Sequence, residues 1–224
     1  MGYRLDDREV EISSRRMKRI AYGVTGDVYK YQNKALKIFK KNKPIPMDLE
    51  TAQYLTNINT SRILLPRNIL FHNDAFSGYT YKLVKKGSIK GIINLEKDEL
   101  LENISIIENE IELLSHKRVL LNGVDPSNTI YNGKLYLSDP SKYTILNTSS
   151  TRELNTLNTL NNYQFYLLLS TLFVSCIKDC NYSQDTCRRF KELLELKDSE
   201  ENSSEYLDEL LGSNESIKQM VKRM

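Results

Sequence analysis

The chain is poor in the residues on which several common chemistries depend. It has two histidines, His72 and His116, and three cysteines among 224 residues. Two isolated histidines argue against a histidine-based nucleophilic triad. Cys176, Cys180 and Cys187 lie in one region, odd in number and without metal-ligand spacing to a histidine. Reduced thiols and an intracellular setting are therefore expected, rather than a zinc site or a disulfide framework. Long apolar runs are also missing. The longest, YQFYLLLSTLFVSCI at 163–177, contains Gln164, Ser170 and Ser175 and falls short of the roughly 20 residues a membrane span needs. It reads as a buried helix, and no membrane partner is expected. The N-terminus is charged, with no apolar core for a secretory signal, and Asp6 stands where myristoylation after Gly2 would want Ser or Thr. A cytoplasmic location follows, in the protein's own cell or in a host if it is exported.

Charge of one sign is scarce as well. A net charge of +3 is too small for a nucleic-acid footprint, and no basic stretch is interleaved with aromatics, so no nucleic-acid partner is expected. What remains, 40% hydrophobic and 27% charged residues, describes a soluble globular chain able to form one compact domain or two small lobes.

Residues 18–40 read as strands, with a tight turn at Gln32-Asn33. KPIP then interrupts regular pairing. MDLETAQYLTNI (47–58) follows as a short helix on Leu49, Ala52, Leu55 and Ile58, capped by Asp48. RNILFH and GYTYKLV are strands joined by the turn-rich NDAFSG. Leu100, Ile104, Ile107, Ile111 and Leu114 define a helix over about 97–116. VLLNGV, NTIY and KLYLSD are short strands. Residues 147–162, rich in Asn, Thr and Ser, read as a loop before the buried helix at 163–177. Helices near 184–197 and 204–224 close the chain. The order gives an α+β pattern with a hinge near Lys85–Ser88, separating residues 1–86 from 87–224.

Three short stretches carry chemistry. AYGVTGDV (21–28) places Gly23 and Gly26 between two strands, where backbone approaches a phosphate without an intervening Cβ. In ALKIF (35–39), Ala35, Lys37 and Phe39 share one strand face and Leu36 and Ile38 the other. NGVDPSNTIYNGKLYLSDPSKY (122–143) gathers Asp125, Asn128 and Asp139 around a β-hairpin. Asp-Pro and Asn-Gly are also ordinary turn formers, so the same residues admit a purely structural reading.

Together these stretches resemble the protein-kinase fold: a G-x-x-G-x-V loop, an A-x-K strand, an acid-bearing helix, a hinge, a loop ending in P-S-N, and Asp139-Pro140-Ser141 where the family has D-F-G. The resemblance covers roughly residues 18–145. It implies a two-lobed α+β fold, with a small β-rich N-lobe and an abbreviated helical C-lobe. It further implies that Gly23 and Gly26 cover the phosphates of ATP, that Val28 and Ala35 roof the adenine, and that Ile130 lies beneath it. Lys37 would bind the α/β phosphates, held by Glu50 or by Asp48. Asn128 and Asp139 would hold Mg²⁺, whose hard-ion preference suits an amide oxygen and a carboxylate.

The chain departs from the family at several points. Ala21 replaces the first loop glycine; Leu121, Asn122 and Gly123 stand at H-R-D; Asp125 occupies the position of a phosphate-contacting lysine; and no A-P-E follows. The abbreviated end is similar to minimal kinases among bacterial effectors that lack the activation segment. Asp125 is a candidate replacement base, a metal-binding group, or a turn residue. Three functions stay open: a kinase acting on a protein Ser/Thr hydroxyl, a pseudokinase serving as a nucleotide-binding or interaction module, and a kinase-like enzyme with a small-molecule acceptor or a nucleotidyl transfer. Acceptor docking is expected on the 147–162 loop or the C-terminal helices.

Overall fold

The computed structural model describes residues 2–6, 8–13, 17–148, 150–195 and 202–224. The chain is α+β and divides into two compact units. One comprises residues 1–84 with 139–144, the other residues 85–138 with 145–224. Asp139–Thr144 thus belong to the first unit, although they follow the hairpin of the second in sequence.

The first unit is built on a seven-stranded antiparallel sheet. Its strands are β1 (Gly2–Leu5), β2 (Arg8–Ser13), β3 (Lys18–Tyr22), β4 (Gly26–Tyr31), β5 (Lys34–Phe39), β6 (Asn68–His72) and β7 (Ala75–Lys82). Their spatial order is β2-β1-β6-β7-β5-β4-β3. The β1–β2 hairpin was not anticipated; it extends the sheet through pairing of Arg4 with Phe71 and Leu5 with Leu70. The stretch EVEIS does alternate polar and apolar residues, a short strand signal, but only the pairing of β1 with β6 across some 65 residues decides that the hairpin joins this sheet. β7 starts earlier than GYTYKLV suggests, because Asn73 and Asp74 both adopt positive φ and close a two-residue hairpin turn. On one sheet face Leu5, Leu36 and Leu70 pack with Tyr29, Tyr31 and Ile38. Helix α1 (Leu49–Thr56) buries Ala52 and Leu55, and the Asp48 carboxylate caps it by accepting from Thr51 N at 2.6 Å.

The second unit is mainly helical. The α2 helix (Lys97–His116) turns Leu100, Ile104, Ile107, Ile111 and Leu114 wholly inward, as their spacing requires. After β8 (Val119–Leu120) comes a hairpin of β9 (Thr129–Tyr131) and β10 (Leu135–Leu137). Buried Asn103 of α2 ties this hairpin down by accepting from Leu135 N at 3.0 Å.

The expected loop at 147–162 is largely helix. The α3 helix (Thr151–Asp179) begins with a capping box in which Ser150 and Glu153 satisfy each other's backbone N–H groups. Asn, Thr and Ser have low helix propensity, but the cap and the buried Leu157, Asn161, Asn162 and Phe165 override it. Beyond α4 (Gln184–Leu194), the expected end at 197 falls outside the described residues. The single helix expected over 204–224 is two, α5 (Ser203–Leu211) and α6 (Ile217–Arg223), divided after Gly212, which adopts a positive φ. Glu108 of α2 accepts from the backbone N–H groups of Ser203 and Ser204, placing a buried carboxylate at the N-terminus of α5. Among the described residues, no helix is long and apolar enough to cross a membrane.

Candidate functional site

Sheet register puts Lys37 of β5 directly opposite Val28 of β4 and Tyr79 of β7, so the three side chains share one face. Ala35 lies two residues along on that face, opposite Tyr81. β7 can approach this closely because Gly78 has no side chain; a Cβ there would stand 1.9 Å from the Lys37 carbonyl oxygen. The Lys37 side chain is only 3% exposed, and such an ammonium needs partners. They come from residues 102 and 104 positions away: Nζ donates to Asp139 Oδ1 and to Ser141 Oγ, the latter at 3.2 Å.

Local chemistry shapes the Asp139 end. Proline at 140 disfavours the right-handed helical region for the preceding residue, and Asp139 adopts φ 62°, ψ 68°. An aspartate tolerates this conformation when its side chain bonds the backbone just downstream, and Oδ1 accepts from Ser141 N at 3.3 Å. The buried Tyr79 hydroxyl donates to the same oxygen at 3.4 Å. Oδ1 therefore collects donors from Lys37, Tyr79 and Ser141, whereas Oδ2 has no hydrogen bond among the described residues, on a side chain 28% exposed.

Electrostatics follow from this packing. Burial pulls the Lys37 ammonium below its ordinary value, although the Asp139 carboxylate opposes that shift. At Asp139 burial pushes upward, but the charge and hydrogen bond of Lys37, with the Ser141 bonds, outweigh it and hold the carboxyl below its usual range. Tyr79 rises well above the ordinary phenol value because it is buried and faces Asp139, so it remains a neutral donor. Tyr79 and Ser141 were not singled out from sequence. The alternation that places Lys37 on one face of β5 also places a β7 residue beside it, but only the register reveals which one.

Glu50 is not brought to Lys37. It is exposed in the first turn of α1, and Asp139 supplies the carboxylate on the Lys37 ammonium. The first turn is a favourable place for an acid in water, so nothing drives Glu50 inward. Asp48 is occupied by capping. In the glycine loop, Gly26 runs so close to β5 that a Cβ would lie 2.6 Å from the Ile38 carbonyl oxygen. Lys40 binds the loop from the end of β5: its Nζ donates to the Gly23 carbonyl at 2.6 Å and its backbone N to the Thr25 carbonyl at 2.9 Å. Val28 is half-buried and Ala35 buried.

In the second unit, Asp125 caps the turn Pro126–Asn128. Its Oδ1 accepts from Ser127 N at 2.8 Å and Ser127 Oγ at 2.5 Å, and its Oδ2 accepts from Asn128 Nδ2 at 3.1 Å. The second amide hydrogen of Asn128 goes to the Gly123 carbonyl at 3.0 Å, and Ser138 donates to the Asn128 carbonyl. Half-buried Ile130 lies opposite Tyr136. Asn161, in the stretch expected to be a loop, fixes the approach to this turn: Oδ1 accepts from Leu121 N, and Nδ2 donates to Ser115 Oγ and the Val119 carbonyl, each at 2.9 Å. A lone Asn in a polar run gave no signal of that role.

Among the described residues, no group of three or more His, Cys, Asp or Glu side chains is placed to hold a metal. Magnesium needs no such cluster, since it is commonly held by one or two oxygen side chains together with phosphates and water. The uncommitted Asp139 Oδ2 is a donor of that hard-oxygen kind. No known family profile and no curated protein matches the sequence.

Proposed function

We propose that the protein is an ATP-dependent phosphotransferase with a two-lobed, protein-kinase-like fold and an abbreviated helical lobe, which transfers the γ-phosphate of ATP to a protein Ser/Thr hydroxyl. The observation that carries this reading is the Lys37–Asp139 pair, a buried ammonium and a carboxylate with one oxygen uncommitted, on the sheet face that adjoins the glycine loop. A buried ion pair is weak evidence of a stability role, because its desolvation cost rivals its attraction; a phosphate and a metal give both charges work to do. In this reading Lys37 binds the α/β phosphates, Gly23 and Gly26 let backbone close over them, and Val28, Ala35 and Ile130 form the apolar lining for the base. Asp139 of the first unit and Asn128 of the second are the candidate Mg²⁺ ligands; the ion would neutralise phosphate charge and orient the γ-phosphoryl group.

One observation favours a second reading, a pseudokinase that binds nucleotide without transferring phosphate. Gly123 stands where the family's base would be, and the nearby Asp125 carboxylate is engaged by its own turn. Incubation with γ-labelled MgATP and candidate acceptors separates the two: label on protein supports transfer, and binding without label supports the module. Lys37→Ala should weaken MgATP binding at least tenfold, and unchanged affinity would refute both.

A further inference from the structure

We propose that Asp125 is a positioning residue: it fixes the side-chain amide of Asn128 so that only the amide oxygen is left to face a metal ion. The inference rests on the assignment of Asn128 as a magnesium ligand and gives Asp125 a role other than proton acceptor.

Both hydrogens of Asn128 Nδ2 are committed, one to Asp125 Oδ2 at 3.1 Å and one to the Gly123 carbonyl at 3.0 Å. A carboxylate and a carbonyl can only accept, so the nitrogen must face them and the oxygen must face away. The backbone carbonyl of Asn128 is already taken by Ser138 N and Ser138 Oγ, each at 2.7 Å. The one polar atom of Asn128 without a partner among the described residues is therefore Oδ1. A free asparagine presents nitrogen or oxygen with similar ease, and half of those orientations would turn a donor toward a cation. Asp125 removes that half.

The turn sequence builds this arrangement. Pro126 pre-sets φ at the first position of the turn, and Asp125 ahead of it bonds Ser127 N, as a cap does. Three residues on, Asn128 swings back beneath the same carboxylate. Asp125 Oδ1 holds two donors from Ser127, and Oδ2 holds the Asn128 amide. The group is thus committed to its own loop.

Full-length Asp125→Asn, Asp125→Ser and Ser127→Ala proteins test the assignment. Asp125→Asn retains an oxygen to cap Ser127 but places an amide donor against the Asn128 donor; Asp125→Ser retains the cap and loses the reach to Asn128. ATP binding is titrated calorimetrically across Mg²⁺ concentrations. Asp125→Asn should need about tenfold more Mg²⁺ for half-maximal binding, in the range typical when a group orienting a metal ligand is lost. Asp125→Ser should shift the same way, and Ser127→Ala should stay within about twofold. The side-chain NH₂ resonances of Asn128 should exchange faster with water in both Asp125 variants, a readout independent of ATP and of activity. Where the parent transfers phosphate, the shape of its pH–rate profile should persist in Asp125→Asn. An unchanged Mg²⁺ requirement in both Asp125 variants overturns the proposal, and so does loss of the acidic limb of the profile with that requirement unmoved, which would make Asp125 the base. If Asp125→Asn does not fold, Asp125→Ser decides. A parent with no Mg²⁺-dependent ATP binding defeats the phosphotransferase reading itself, an outcome seen before any variant is made.

Discussion

Replacing Asp139 by Asn strands the Lys37 ammonium. The substitution keeps size, and asparagine tolerates the left-handed backbone found at this position, so the change isolates charge. Lys37 is 3% exposed and, among the described residues, retains only Ser141 Oγ as a partner. Leaving a buried charge unpaired costs about 3–5 kcal/mol. The reverse change, Lys37→Met, leaves a carboxylate that is 28% exposed and still accepts from Tyr79 and Ser141, so water and local donors soften the loss to about 2–3 kcal/mol. Asp139→Asn should therefore be the more damaging of the two, and the double substitution should recover on the order of 1–3 kcal/mol relative to the sum of the singles. Urea unfolding followed by circular dichroism measures all four proteins. The pH dependence adds a second check. With the carboxylate gone, the folded Lys37 value drops further below its unfolded value of about 10.4. Between those two values the unfolded chain binds more protons, so Asp139→Asn should gain stability as pH rises toward the unfolded lysine value, more steeply than the parent. The parent should show in addition an acidic limb of the same sign. Its Asp139 carboxyl is held low, so that contribution is present above the unfolded carboxyl value of about 3.9 and is lost as pH falls through the folded value. Additive single effects, or a cost below about 1 kcal/mol for Asp139→Asn, would mean that the pair is not coupled in solution and would remove the central observation behind the proposed function.

Two further outcomes follow from the packing around the candidate site. Gly78→Ala should destabilise the sheet by on the order of 3 kcal/mol, measured as a fall in the urea midpoint, because its Cβ would collide with the Lys37 carbonyl oxygen; a change within 0.5 kcal/mol, ordinary for surface positions, would contradict the register. Asn161→Leu should cost about 2–4 kcal/mol by leaving Leu121 N and the Val119 carbonyl buried without their partner, and amide hydrogen exchange should speed up first near residues 119–121.

The sequence by itself determined those parts of the protein whose forces act within one turn of helix or one hairpin. The apolar spacing of α2, the Asp48 cap of α1, the alternation in β5 that separates Lys37 from Leu36, and the β9–β10 hairpin were all legible, because each depends on neighbours a few residues away. Local reading failed where distant partners outvote local preference. Polar residues 151–162 became helix because a capping box satisfied the first backbone N–H groups and buried Asn161 tied the segment to Leu121 N and the Val119 carbonyl. Residues 2–5 and 8–13 joined the sheet because the edge at β6 was open for β1 to pair with. The same limit applies to the chemistry. Residue type and order single out Lys37, Asp139 and Asn128 as candidates, and the fold pairs the first two. That Asp139 rather than Glu50 meets the lysine, that Tyr79 shares its oxygen, and that Asp125 aims the Asn128 amide are matters of distance and direction. Only the folded chain sets these, because a side chain finds its partner through sheet register and turn geometry, not through position along the sequence.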